Sequence, residues 1–300
     1  GRVELRVGDD GARVQAELAD YRITRRGHDA PHVRGSGLVV AVATPDARLP
    51  PSFEEARVAV RLPPAEIPNL AVYNAYLPEA AGLVIEGGRG TIEGRFEARA
   101  ATGLGSGTLR LAGRDVGVTY GGTGLRGDVE LESRFPRVEL ERRSFRLDGT
   151  RLTLTGGRVA GRSDEEPWAA RILLPRGILE PGRPVLLRAE VSAALSDAHP
   201  VVALYGERNP LPGWVLEALD LGEVAATARV EAGRERVAIE DLEAEAEPLR
   251  LAGRLVLAGP ARKTGRLLLT YRDLAIGLEL RDGEADLKLL RAREWFREGE

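Results

Sequence analysis

Few residues in this 300-residue chain are of the types that carry chemistry. There are three histidines and no cysteine, so thiolate nucleophiles, thiolate metal ligands and disulfides are excluded. His28 and His32 stand four apart in His28-Asp29-Ala30-Pro31-His32, a spacing that on a helix puts two imidazoles on one metal-facing side. Pro31, with Gly27 and Gly35 nearby, makes the segment a loop, and no other Cys or His is close in sequence. Both imidazoles are therefore expected in a solvated loop. His199 precedes a proline and reads as a turn or cap residue, not a general base. Ser106 in Gly105-Ser106-Gly107 lacks the flanks of a nucleophile elbow and is expected in a hairpin turn. The Gly103 to Gly107 run has no following Lys-Ser/Thr and no strand–loop–helix context, so it is no phosphate loop. Arg126-Gly127-Asp128 matches the integrin tripeptide, but Asp128 opens an alternating strand. A glycan hydrolase would need two carboxylates across a cleft, and none can be paired from sequence. No catalytic residue, metal site or cofactor is assigned, and the chain is read as a non-enzyme.

The elements that would position any site are strands. Val3, Leu5 and Val7 alternate with Arg2, Glu4 and Arg6, and Ile92, Phe96 and Ala98 with Glu93, Arg95 and Glu97. Val129, Leu131 and Phe135 alternate with Asp128, Glu130, Glu132 and Arg134. Such period-two patterns mark half-buried strands, and gaps too short for a crossover helix make them antiparallel. Glycine clusters at 87–90, 103–107, 121–124 and 156–157 are read as turns. The outward Glu and Arg positions read as a solvated, cross-strand-paired surface. Helices are scarce, and the tail from Glu284 predicts a strand to about Leu290 followed by a short helix.

Two proline-bracketed inserts appear. Ile67-Pro68-Asn69-Leu70-Ala71-Val72-Tyr73 closes at Leu77-Pro78, and His199-Pro200-Val201-Val202-Ala203-Leu204-Tyr205 closes at Leu211-Pro212. Downstream of each, Leu-Arg-Leu-Ala-Gly-Arg recurs at Leu109 to Arg114 and Leu249 to Arg254. The preserved order predicts an internal duplication: N-terminal strands over 1–66, a first unit over 67–198 with insert 67–78, and a second over 199–300 with insert 199–219 and a C-terminal helix.

Composition narrows the partners. Basic and acidic residues number 43 and 46, interspersed, for a net charge of −3, so nucleic acid is not expected. Only Lys263 and Lys288 are lysines, which reads as GC-rich codon usage. No methionine is present, and the chain is expected to begin inside a longer protein. No stretch is apolar enough to span a membrane, and no signal peptide is seen.

A sheet with one aliphatic face needs a cover for it, because burial is worth roughly 25 cal/mol per Å². Either two sheets pack as a sandwich or barrel, or one sheet curls into a trough that meets an apolar ligand. The alternating strands, the insert from Ile67 to Pro78 and its echo from His199 to Trp214, the Gly-bounded segment Gly107 to Gly113, and the tail Ala292-Arg293-Glu294-Trp295-Phe296 resemble the AsmA-like proteins of Gram-negative bacteria. These are relatives of TamB, akin to the repeating β-groove lipid-transfer proteins. The resemblance implies an all-β fold: a long, curved, mostly antiparallel sheet forming a groove, with two short helical inserts and a short C-terminal helix. It further implies a periplasmic protein, held at the inner membrane by an anchor outside this chain. Its groove would shield phospholipid acyl chains moving toward the outer membrane, with envelope proteins as possible partners.

On that reading Val129, Leu131, Phe135, Leu152, Leu154, Ile172, Leu174, Leu187, Val191, Leu251, Leu255, Leu267 and Leu269 line the groove. The competing reading makes them the core of a non-catalytic sandwich or barrel that binds another protein.

Overall fold

The computed structural model of the chain describes residues 1–8, 11–26, 30–45, 54–161, 166–197, 222–258, 262–282 and 284–298. These form one antiparallel sheet of seventeen strands. The strands are β1 (Arg2–Gly8), β2 (Gly11–Thr24), β3 (Pro31–Thr44), β4 (Arg57–Ile67), β5 (Leu83–Arg99), β6 (Leu104–Tyr120), β7 (Thr123–Glu139), β8 (Ser144–Arg146) and β9 (Thr150–Val159). They continue as β10 (Trp168–Glu180), β11 (Leu186–Leu195), β12 (Val224–Ala232), β13 (Val237–Ala246), β14 (Leu249–Leu257), β15 (Lys263–Tyr271), β16 (Leu274–Arg281) and β17 (Glu284–Lys288). A short helix, α1 (Ala292–Arg297), follows and sets the Trp295 ring under the Arg266 guanidinium at 5.1 Å.

The sheet is all-β, as the alternation predicts, and its order is the order of the chain. Each strand pairs with the next, except that short β8 and β9 together fill the gap between β7 and β10. The meander follows from connections too short for anything but a return stroke. Among the described residues, β1 pairs only with β2 and β17 only with β16, which leaves two outer edges.

Several glycine clusters read as turns lie inside strands instead. Gly87 to Gly90 sit within β5, where the register against β6 shifts twice. Gly88 has φ +117, and a Cβ there would lie 2.9 Å from the Val116 Cα. Gly105 to Gly107 lie within β6, where a Cβ on Gly107 would approach the Arg95 carbonyl to 2.5 Å. Gly156 and Gly157 lie within β9, with Trp168 packed on Gly157. Glycine serves bulges and close backbone approach as readily as turns, and composition does not separate the uses.

The sheet, bulged at several register shifts, brings strands from both ends of the chain into contact with one insert. The first insert, as two 3₁₀ segments over Leu70–Tyr76 and Glu79–Ala81, lies between the two walls. On one side Leu70 joins a buried cluster with Val33, Ala65, Ile67 and Val116. On the other, Ala80 packs on Val237 and Leu257. The Tyr76 carbonyl accepts the Val185 N–H at 3.1 Å, and Arg183 lies 5.2 Å over the Tyr76 ring. Lys263 and the Tyr120 ring, on β15 and β6, approach to 5.8 Å. The second insert, with His199, Tyr205, Trp214 and the whole of 199–219, lies outside the described residues.

Candidate functional site

The candidate site is the apolar face. Cross-strand registers carry one row over it: Ala65, Ile92, Leu111, Leu131, Leu152, Ile172, Ala193, Ala226, Ala244, Leu251, Leu269 and Ile276, each directly opposite the next on twelve strands. No member of the row is polar. Because side chains alternate across a strand, residues in register share a face. The row therefore fixes that face from β4 to β16.

All thirteen sequence-assigned positions fall on this face. Val129 faces Leu154, and Leu131 faces Leu152; Leu174 faces Thr150; Leu187 faces Leu179; Val191 faces Ala228. Leu255 faces Ile239, and Leu267 faces Leu278. Phe135 stands edge-on to Phe145, with ring centroids 5.7 Å apart. Every one of the thirteen is half-buried, neither sealed nor open. A filled sandwich core would seal such side chains. Among the large apolar side chains described, Ile67 and Val138 are fully sealed and Val33, Leu70, Val116, Leu147, Val159, Trp168, Val237 and Leu257 are buried, and none of these is one of the thirteen.

The insert divides the face. Val129 packs against the Leu70 cluster and Leu255 against the Ala80 cluster, so these two lie under the insert. Two polar atoms on the face pair with each other: the Ser133 and Thr150 hydroxyls, both buried, meet at 2.7 Å. Sequence reasoning missed Ala193, Ala226 and Ala244, which carry the row through the middle strands, and Ala228 beside it. Their signal was present in β12, where Val224, Ala226, Ala228 and Val230 alternate with Ala225, Thr227 and Arg229 and burial alternates with them. Alanine is simply a weak marker of an apolar face.

The insert is held by its own polar groups. Asn69 caps the first segment by accepting the Ala71 N–H at 2.9 Å. The Asn74 side chain accepts the Ile85 N–H at 2.7 Å and donates to the Ile85 carbonyl at 2.8 Å, standing in for a neighbouring strand. Burial pushes the Tyr73 hydroxyl above its ordinary pKa, with the neighbouring Tyr76 adding to the shift.

The remaining chemical candidates dissolve into the fold. His32 is not in a solvated loop: it lies in β3, 8% exposed, with the Tyr73 and Tyr76 rings edge-on at 5.7 and 6.2 Å. Pro31 begins a strand rather than a loop, and aromatic packing takes up the imidazole. His28 lies outside the described residues. Ser106 is near the start of β6, within the ladder and opposite Glu97. Asp128 accepts the Asp115 N–H at 2.9 Å and pairs with Arg114, while Arg126 pairs with Asp115 at 3.4 Å. Among the described residues no three His, Cys, Asp or Glu side chains are grouped to hold a metal, and no helix is long and apolar enough to cross a membrane.

No known protein family, characterised protein or solved structure matches the chain.

Proposed function

We propose that the apolar face binds phospholipid acyl chains, and that the chain is a non-enzymatic groove segment of an AsmA-like envelope protein that supports phospholipid movement between the inner and outer membranes. The observation that carries the reading is the unbroken apolar row from Ala65 to Ile276, whose flanking side chains are sheltered without being sealed. A half-sheltered aliphatic surface gains on covering, at about 0.8 kcal/mol for each methylene taken from water. An acyl chain is a flexible run of methylenes that can follow a curved row without needing a polar partner. The same reading puts the protein in the periplasm, with its membrane anchor in a segment beyond these 300 residues.

Protein purified under gentle conditions is expected to carry phospholipid, detected by native mass spectrometry. Leu131→Asp and Leu174→Asp each put a carboxylate on the row's face, and lipid occupancy should fall sharply while the circular dichroism stays that of a folded sheet. Wild-type protein that is lipid-free and takes up no added phospholipid would overturn the proposal and favour a protein-binding module.

A further inference from the structure

The charged face carries a second site. On it, Arg61 of β4 stands directly opposite Arg95 of β5, Arg95 opposite Thr108 of β6, and Thr108 opposite Arg134 of β7. Four residues further along, Arg57 and Arg99 are also directly opposed. Like charges directly across a ladder are destabilising. Elsewhere on this face arginines meet carboxylates: Arg34 pairs with Glu66 at 2.8 Å, Arg114 with Asp128, and Arg176 with Glu190 at 3.4 Å. None of Arg57, Arg61, Arg95, Arg99 and Arg134 has such a pair among the described residues.

The row lines a concavity of about 1170 Å³. Six arginines border it, with Glu93, Glu97, Glu132 and Asp148 as the acidic groups. Glu132 faces Arg110 and Arg151, each at 3.7 Å, and Asp148 is paired with Arg146 at 2.8 Å. Glu93 and Glu97 flank Arg95 along β5 and make no ion pair of their own among the described residues, although Glu93 stands opposite Arg110 and acts on its charge. The local excess of cations stands out in a chain whose net charge is −3, so it is no extension of a general positive field.

We propose that Arg61, Arg95, Thr108 and Arg134 bind a phosphate group. Each guanidinium carries an N–H fork that can donate two bonds, and Thr108, between Arg95 and Arg134 in register, adds a hydroxyl donor. A phosphate brings several acceptor oxygens and up to two negative charges, which matches this donor set better than a carboxylate does. The occupant converts a repulsive row into a bridged one. Its room in the concavity admits a phosphorylated small molecule or a lipid headgroup. The site lies on the face opposite the acyl row, so it stands whether or not the groove binds lipid.

The test compares wild type, Arg95→Gln and, as a paired arginine elsewhere on the face, Arg176→Gln. Melting is followed in sodium chloride and in sodium phosphate at equal ionic strength, with binding of inorganic phosphate and glycerol 3-phosphate followed by calorimetry. In chloride Arg95→Gln should melt at or above wild type, because repulsion is relieved. Phosphate should then raise wild type and Arg176→Gln more than Arg95→Gln, with affinity at Arg95→Gln at least roughly tenfold weaker, the loss of a charge-assisted bond. Arg61→Lys, which keeps charge but loses the fork, should also weaken binding. A parallel arm uses vesicles of phosphatidylglycerol in phosphatidylcholine. Arg95-dependent uptake of vesicles without uptake of free phosphate identifies the source as a headgroup, and uptake of free phosphate identifies a soluble ligand. Equal stabilisation of all three proteins by phosphate, with no Arg95-dependent binding in either arm, overturns the site.

Discussion

Ile67 ends β4 with its side chain fully sealed from water, whereas Leu131 sits half-sheltered in the middle of the apolar row. The two positions predict different costs on truncation. Ile67→Ala should lower stability by about 2–5 kcal/mol in urea unfolding, the range for a sealed aliphatic side chain. Leu131→Ala should cost clearly less, since part of its surface already meets water. Equal losses would mean that the row is ordinary core. A second residue-scale effect concerns acid. Asp128 has its carboxyl pKa lowered by the Asp115 backbone N–H and then by Arg114. A folded-state pKa below the unfolded one gives stability that is present above the unfolded value, 3.8 for Asp, and is lost as pH falls through the lower folded value. Asp128→Asn should therefore flatten the acid limb of the stability profile below about pH 4, by a small amount because the pair is solvent-screened.

At the scale of elements, the insert over Leu70–Ala81 controls how the two walls meet. Its attachment through Asn74 satisfies both backbone groups of Ile85, and removing it leaves a donor and an acceptor without partners in a part-buried site. Asn74→Ala should cost about 1–3 kcal/mol and speed amide exchange at Ile85, read by hydrogen-exchange NMR. Asn74→Asp restores only the acceptor and should fall between. The insert's existence was legible from Ile67-Pro68 and Leu77-Pro78, because proline at both ends stops a strand from continuing. What it touches was not legible, since Ala80 meets Val237 and Leu257 from the other end of the chain. The glycine clusters illustrate a second limit. Gly121 and Gly122 do make a turn between β6 and β7, yet Gly105 and Gly107 lie inside β6. Local sequence carries the need for a small residue but not which neighbour imposes it. In the recurring Leu-Arg-Leu-Ala-Gly-Arg, Gly113 lies beside a register shift against the following strand and Gly253 beside one against the preceding strand, at Gly113/Val116 and at Ile239/Leu242.

Across the whole molecule, stability should grade from the centre of the meander to its edges. β5, β6 and β7 are 17 residues each and paired on both sides, whereas Val3 and Leu5 of β1 are 73% and 59% exposed and Leu287 of β17 is 60% exposed. Native-state hydrogen exchange should show the slowest amides in β6 and the fastest strand amides in β1 and β17. Uniform protection across all strands would contradict that gradient.

Alternation alone determined the class of this fold, its antiparallel sense and which residues share a face, because period two is a property of each strand and short connections leave only the return stroke. The thirteen apolar positions could be named in advance for that reason. Tertiary structure decided how far the face is covered, that Val129 and Leu255 lie under the insert, that His32 is packed between tyrosines, and that Arg61 confronts Arg95 across a ladder. Each of these depends on register and curvature. Register and curvature are set by pairing and bulges between strands, which no single strand's sequence contains.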